Sequence, residues 1–352
     1  MKSIKTIFTF FLVALLAASC EDYLDPIKKV PTANDVSVPQ VTINFPTEGK
    51  VIQASEEVAT LTIHVIATDD IELKSVTLQL DGEQIASLSS FKDYRRADIA
   101  YDYTELTDGD HSLTVRAEDL TGKNETKTVN FSKITIPTYE PLDGEVLYFP
   151  FDGHSIDLIS QTPAALEGTP GFATGKVGEA YAGATDAYLT YPADSVTKGS
   201  EFSVSFWYKI NADPPRGGIL AISPPGESRN SGLRLFRENS GDNQNIGLNF
   251  GIGEAEVWIN PVTTVPPTQD WMHIVLSIST THTTIYIDGA IAVEQDIDAQ
   301  ISWTDCTSIS IASGMPNFGY WEHYSDLSLY DEMHFFTKAL TAEEVQSLFA
   351  VK

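Results

Sequence analysis

Hydrolysis of a glycosidic bond needs two carboxyl groups facing each other across that bond, and one strand supplies such a pair when acidic residues stand at i and i+2 or i+4. Glu254 and Glu256, on either side of Ala255, come nearest to this pattern. No third carboxylate joins them in period, and Gly251 and Gly253 set the pair beside a turn. No catalytic residue is therefore assigned, and the chain is read as a non-enzyme. Aromatic side chains suggest a different chemistry. Their flat faces suit the C–H surfaces of sugar rings when amides, carboxylates or guanidinium groups stand by to bond the hydroxyls. Residues 314–324, GMPNFGYWEHY, carry Phe318, Tyr320, Trp321 and Tyr324 together with Asn317, Glu322 and His323. A second stretch, 229–258, offers Arg234, Arg237, Asn243, Asn249 and Trp258. Phe318, Tyr320, Trp321, Tyr324, Asn317, Arg234, Asn249 and Trp258 are the expected glycan-contacting set; the competing expectation is that these aromatics fold down as loop packing.

The other reactive residue types point to structure. Cys306 has no His/Asp constellation around it in a recognisable motif and reads as a small buried side chain. His111 lies in a Gly-Asp-His turn, where an imidazole serves as a turn hydrogen-bonder, and His273 and His334 lie in apolar strand runs as satisfied structural histidines. Asp69, Asp70, Asp81 and Asp119 stand in turns. They are expected to be solvated, with a gathered calcium site as the alternative.

The elements that must position these residues are strands. The 352 residues are 42% hydrophobic, enough for two cores with linker between them. Short alternating runs separated by Gly, Pro and Asp turns predict an all-β chain with little helix. Between 40 and 137 there are seven strand-like runs, with Leu61-Ile63-Val65, Val76-Leu78-Leu80 and Leu113-Val115-Ala117 alternating most clearly. After Pro137 and Pro141 about a dozen more occupy 143–352, centred on 201–210, EFSVSFWYKI. There Phe202, Val204, Phe206 and Tyr208 share one face and Trp207 the other. Thr341 and Glu344 predict a capping box for a short terminal helix, and Asp288-Gly289 a hairpin turn.

The start of the chain reads as an address. Lys2 and Lys5, an apolar run from Ile7 to Leu16 and small residues before Cys20 are ordered as in a secretory signal, 1–19. The closing Leu16-Ala17-Ala18-Ser19-Cys20 resembles a lipobox, which implies acylation of Cys20 and outer-membrane lipid as its partner. Glu21, Asp22 and Asp25 resemble the surface-export cluster of Gram-negative lipoproteins in glycan-uptake systems, implying an outward-facing anchor. Residues 20–39, with Pro26, Pro31 and Pro39, read as a tether. With 49 acidic against 22 basic side chains, the net charge of −27 repels phosphate backbones, so nucleic acid is excluded as a partner.

Two resemblances sharpen this reading. The phrases Ile66-Ala67-Thr68-Asp69-Asp70, Val76-Thr77-Leu78-Gln79-Leu80-Asp81-Gly82 and Asp108-Gly109-Asp110-His111 resemble those of bacterial Ig-like modules, implying an immunoglobulin-like sandwich at 40–137. Residues 143–352 are similar to laminin-G-like, concanavalin A-like jelly rolls. The matching phrases are Leu147-Tyr148-Phe149-Pro150-Phe151-Asp152-Gly153, the Phe202 strand, Trp271-Met272-His273-Ile274-Val275-Leu276, Ile285-Tyr286-Ile287-Asp288-Gly289 and Tyr330-Asp331-Glu332-Met333-His334-Phe335. This second resemblance implies a binding domain for glycans or protein surfaces. It also implies Trp207 as framework packing, and calcium as a candidate ion at Asp152, Asp157 and Asp331, although the stretch DGHSIDLIS lacks the family's Gly/Asn-rich turn. The function expected is carbohydrate binding by a surface lipoprotein, with uptake-system proteins as further partners. The alternatives are a protein-binding adhesion or assembly module and, after it, a glycoside hydrolase or lyase of the same fold.

Overall fold

A computed structural model describes residue 31 and residues 35–259, 263–267 and 270–350. Cys20 and the signal segment, and with them the lipidation reading, lie outside the described residues. Strand makes up 54% of the structure and helix 3%, so the class is all-β. Two compact units part between Thr135 and Ile136.

In the first unit a three-stranded sheet runs Gln40–Phe45, Ala59–Thr68, Arg96–Leu106, and a five-stranded sheet runs Lys50–Ala54, Asn124–Thr135, Gly109–Asp119, Leu73–Leu80, Glu83–Leu88. Alternation explains the core: Leu61, Ile63, Val65, Val76, Leu78, Leu80, Leu113, Val115 and Ala117 are all buried between the sheets. Among its described residues the unit has eight strands, one more than the seven expected. Lys50–Ala54 escapes sequence reading because it is a short edge strand, mostly exposed, whose order comes from parallel pairing with Asn124–Thr135. His111 bonds Asp81 Oδ2 through Nδ1 at 2.7 Å and the Thr107 carbonyl through Nε2 at 2.9 Å, the part of a turn histidine.

In the second unit two large sheets pack face to face. The front sheet runs Ala165–Glu167, Tyr188–Pro192, Ser308–Ile311, Arg216–Ile222, Leu233–Ser240, Asn243–Gly251, Glu256–Trp258. The back sheet runs Gly171–Thr174, Glu179–Ala182, Leu329–Phe336, Phe202–Lys209, Met272–Ile278, His282–Ile287, Ala290–Asp296, with Glu145–Phe149 on Leu329–Phe336. Phe202–Lys209 is central, hydrogen-bonded on both edges, and its Phe202, Val204, Phe206 and Tyr208 enter the shared core. One end of that core is polar. Arg237 Nε donates to Asp326 at 2.8 Å, and Tyr208, Tyr330 and Ser328 hydroxyls donate to the same carboxylate, so a fully buried ion pair is satisfied on several sides.

The helix Ala342–Ala350 starts at the expected capping box: Glu344 N donates to Thr341 Oγ1 at 3.3 Å and Thr341 N to Glu344 Oε2 at 2.9 Å. Leu340 and Val345 are buried in one cluster with Val275, Tyr286 and Phe336, which lays the helix on the outer face of the back sheet. Asp288 and Gly289, with φ of 50° and 76°, make the tight turn between His282–Ile287 and Ala290–Asp296.

Candidate functional site

On the outer face of the front sheet, the residues with Leu235 and Leu248 point inward and their neighbours Arg234, Phe236 and Asn249 point outward. Phe236 lies across Gly247, where a Cβ would stand 2.6 Å from its ring, so only glycine lets this aromatic lie flat on the sheet. Over it folds the 314–324 passage. Phe318 packs 5.7 Å from Phe236 and 5.2 Å from Trp321, and Trp321 stacks on Trp258 at 5.1 Å with ring planes 28° apart. The two aromatic stretches, apart in sequence, thus form one cluster.

A polar chain runs beside it. Arg229 grips Glu256 with two hydrogen bonds, Nε to Oε2 at 2.6 Å and Nη2 to Oε1 at 3.0 Å, and its guanidinium lies 5.1 Å from the Trp321 ring centre. Glu256 Oε2 also accepts from Asn249 Nδ2 at 2.9 Å, and Asn249 Oδ1 accepts from Arg234 Nη1 at 3.2 Å. The Arg229 hydrogen bond holds the Glu256 carboxyl below the usual carboxylate range, and burial pushes the Tyr320 phenol up. His323 Nε2 comes within 3.1 Å of Glu238 without hydrogen-bond geometry; burial, aided by the Arg216 and Arg237 charges, pushes its pKa down to about 3, so the ring is neutral.

Of the expected set, Trp258 is 36% and Tyr324 52% exposed, while Tyr320, Trp321 and Asn317 are half-buried. Asn317 donates to the Ser223 carbonyl at 2.9 Å and pins the loop to the sheet. Phe318, Arg234 and Asn249 are fully buried, so they support this rim from beneath and are not its surface. The sequence reading missed Arg229 as a partner of Glu256. A bidentate pair 27 residues apart has no local signature: Arg229 stands in the loop before Leu233–Ser240, and Glu256 begins Glu256–Trp258 on the far side of Asn243–Gly251.

The three carboxylates expected for calcium do not converge. Asp157 accepts from the backbone N–H of Tyr148, Ile159 and Ser160, whereas Asp331 Oδ2 accepts from Lys176 and Val177, and Asp152 Oδ1 from Glu179. Two of them clasp the turn near 176–179, and Asp157 organises the opening strand instead. Cys306 is buried, and burial pushes its thiol up to about 11, away from nucleophile behaviour.

Residues 183–346 match the concanavalin A-like lectin/glucanases superfamily, and residues 39–115 match a bacterial Ig domain. The chain carries a bacterial Ig domain followed by a concanavalin A-like domain. Among solved structures it is similar to domain 4 of an extracellular arabinanase from Geobacillus stearothermophilus, in complex with arabinotriose, at 18% identity over 58% of this chain and 97% of that one, with a TM-score of 0.45. It is also similar to the binding domain of botulinum neurotoxin serotype C1, at 15% identity over 59% of this chain and 52% of that one, TM-score 0.43. A third is the botulinum neurotoxin DC binding domain in complex with SialylT, at 13% identity over 59% of this chain and 51% of that one, TM-score 0.42. The chain thus spans about half the length of these toxin domains. No curated protein matches.

Proposed function

We propose that the concanavalin A-like domain binds a glycan at the front-sheet rim, on a lipid-anchored surface protein of the outer membrane that serves a polysaccharide-uptake system. The observation that carries this reading is the Trp258–Trp321 stack, exposed at Trp258 and bordered by the Arg229–Glu256 pair. An indole held by its neighbour offers a rigid apolar face at little entropic loss, and the paired guanidinium and carboxylate offer donors and acceptors to hydroxyls. Tyr320, edge-on to Trp321 with ring centres 5.4 Å apart, extends the aromatic rim. Binding is favoured over hydrolysis because a general acid needs a carboxyl raised toward neutrality, and Glu256 is shifted the opposite way by Arg229. The anchor and the outward address rest on the 1–19 signal, Cys20 and the Glu21, Asp22, Asp25 cluster.

Calorimetry and affinity electrophoresis of the folded protein against plant, host and microbial glycans test the proposal. Retention by at least one polysaccharide, abolished in Trp258→Ala, is expected; uniform non-binding overturns it. A Cys20→Ser variant that still partitions with the outer membrane would overturn the anchor.

A further inference from the structure

At one end of the Ig domain three strands bring carboxylates together. Asp35 precedes Gln40–Phe45, which pairs with Ala59–Thr68 so that Gln40 stands opposite Thr68, and Asp69 follows directly. Asp119 closes Gly109–Asp119 in the other sheet. One oxygen from each of Asp35, Asp69 and Asp119 lies within 4.8 Å of the others. All three are withdrawn from water: the Asp35 and Asp119 side chains are 1% and 0% exposed, and Asp69 is 9% exposed.

The turns hold two of these carboxylates by one oxygen only. Asp69 Oδ1 accepts from Ile71 N at 2.9 Å and Glu72 N at 2.7 Å. Asp119 Oδ1 accepts from Thr121 N, Thr121 Oγ1 and Lys123 N at 2.7 to 2.9 Å. Asp69 Oδ2 and Asp119 Oδ2 are buried with no hydrogen-bond partner. Leaving a buried carboxylate oxygen bare is unfavourable, so something other than these turns is needed to compensate it. Lys123 compensates in part. Its Nζ bonds Asp35 Oδ1 at 3.1 Å, the Asp35 carbonyl at 3.0 Å and Thr121 Oγ1 at 2.7 Å, and stands 3.6 Å from Asp119 Oδ2. One ammonium against three carboxylates leaves a surplus of negative charge, and at 31% exposure the lysine has room to turn outward.

We propose that Asp35, Asp69 and Asp119 bind one hard divalent cation of the calcium class, which displaces the Lys123 ammonium. An ion coordinated at about 2.3–2.6 Å by each oxygen can serve oxygens up to about 5 Å apart, which this cluster satisfies. The donors are carboxylate oxygens with no imidazole or thiolate, which selects against the softer transition metals. Because Asp35 lies on the tether side of the first strand while Asp69 and Asp119 belong to the sandwich, the ion would clamp the start of the domain to its body. The site is independent of the glycan reading.

Calcium titration of the chelator-stripped protein, by calorimetry and by thermal unfolding, tests this. One ion per chain is expected, with a dissociation constant of about 10⁻⁴–10⁻³ M and a rise in the melting temperature of the Ig domain. Asp35→Asn and Asp119→Asn retain the side-chain carbonyl oxygen and should each weaken binding about tenfold or more, whereas Lys123→Met should tighten it several-fold. Absence of heat and of any thermal shift up to about 10 mM calcium in both the wild type and Lys123→Met would overturn the site. So would binding that is the same in Asp35→Asn and Asp119→Asn as in the wild type, with circular dichroism confirming that those variants are folded. Unaltered affinity in Lys123→Met would overturn displacement of the ammonium.

Discussion

On the back sheet of the concanavalin A-like domain, Trp207 points outward yet is only 5% exposed, with the Phe349 ring of the terminal helix stacked 5.7 Å away and Lys176 Nζ 4.5 Å above it. On the front sheet Trp258 also points outward, stacks on Trp321 and keeps 36% of its surface. Both faces carry Trp, His and charged residues, and what separates them is the element laid on top. A helix with an apolar stripe covers the first and leaves a cavity of about 190 Å³ lined by Tyr148, Ser205, Trp207, His273, Glu332 and His334. An irregular loop covers the second only as far as Phe318 and Trp321. Perturbed ionisation alone does not mark a functional face. Burial pushes His273 down to about 4 and Asp331 up to about 7 on the helix-covered side, where Ser205 Oγ meets His273 Nε2 at 2.8 Å as ordinary packing.

The sharpest way to break this comparison is to truncate each indole. Trp207→Ala should destabilise the domain by about 3–5 kcal/mol in denaturant unfolding, as loss of a buried aromatic does. Trp258→Ala should change stability by about 1 kcal/mol or less while abolishing glycan retention. Equal destabilisation by the two would erase the distinction.

A smaller effect is read in pH. The unfolded His273 ring takes up a proton near 6.5 and the folded ring near 4, so its contribution is present above 6.5 and lost as pH falls through that window. Asp331 has the opposite sign: the folded carboxyl keeps its proton up to about 7 and the unfolded one to 3.8, so stability is lost as pH rises between those values. His273→Gln should therefore be about 2 kcal/mol less damaging at pH 5 than at pH 7.5 when unfolding midpoints are compared. Asp331→Asn should show the reverse trend, stabilising at pH 8 and not at pH 4. The smallest effect belongs to the partly exposed rim. Glu256→Gln, which weakens the grip of Arg229, should alter stability by about 1 kcal/mol or less yet lower glycan affinity measurably. Unchanged affinity would remove the pair from the binding surface.

Much of the scaffold was legible in the chain. The period of two in Phe202–Lys209, the Thr341–Glu344 capping box and the Asp288-Gly289 turn depend on residues within a few positions of one another, and each stands as the sequence predicts. The framework part of Trp207 was legible too, through the resemblance of its strand. The edge strand Lys50–Ala54 was not, because its stabilising partner lies some 80 residues downstream in Asn124–Thr135. For the site, the sequence reading placed Phe318, Arg234 and Asn249 among the contacting residues, whereas the structure buries all three beneath the rim that Trp258 exposes.

By itself, then, the sequence determined the all-β class, the order of the two domains and the strands that carry the aromatic and acidic residues, since alternation and turn chemistry are written in near neighbours. Only the tertiary structure decided that Arg229 meets Glu256 across 27 residues, that Arg237 meets Asp326 across 89, and that Asp35 joins Asp69 and Asp119 while Asp81 turns away to His111. Those encounters depend on strand register and on which loop or helix covers a face, and both are settled by burying apolar surface between sheets whose partners are far apart along the chain.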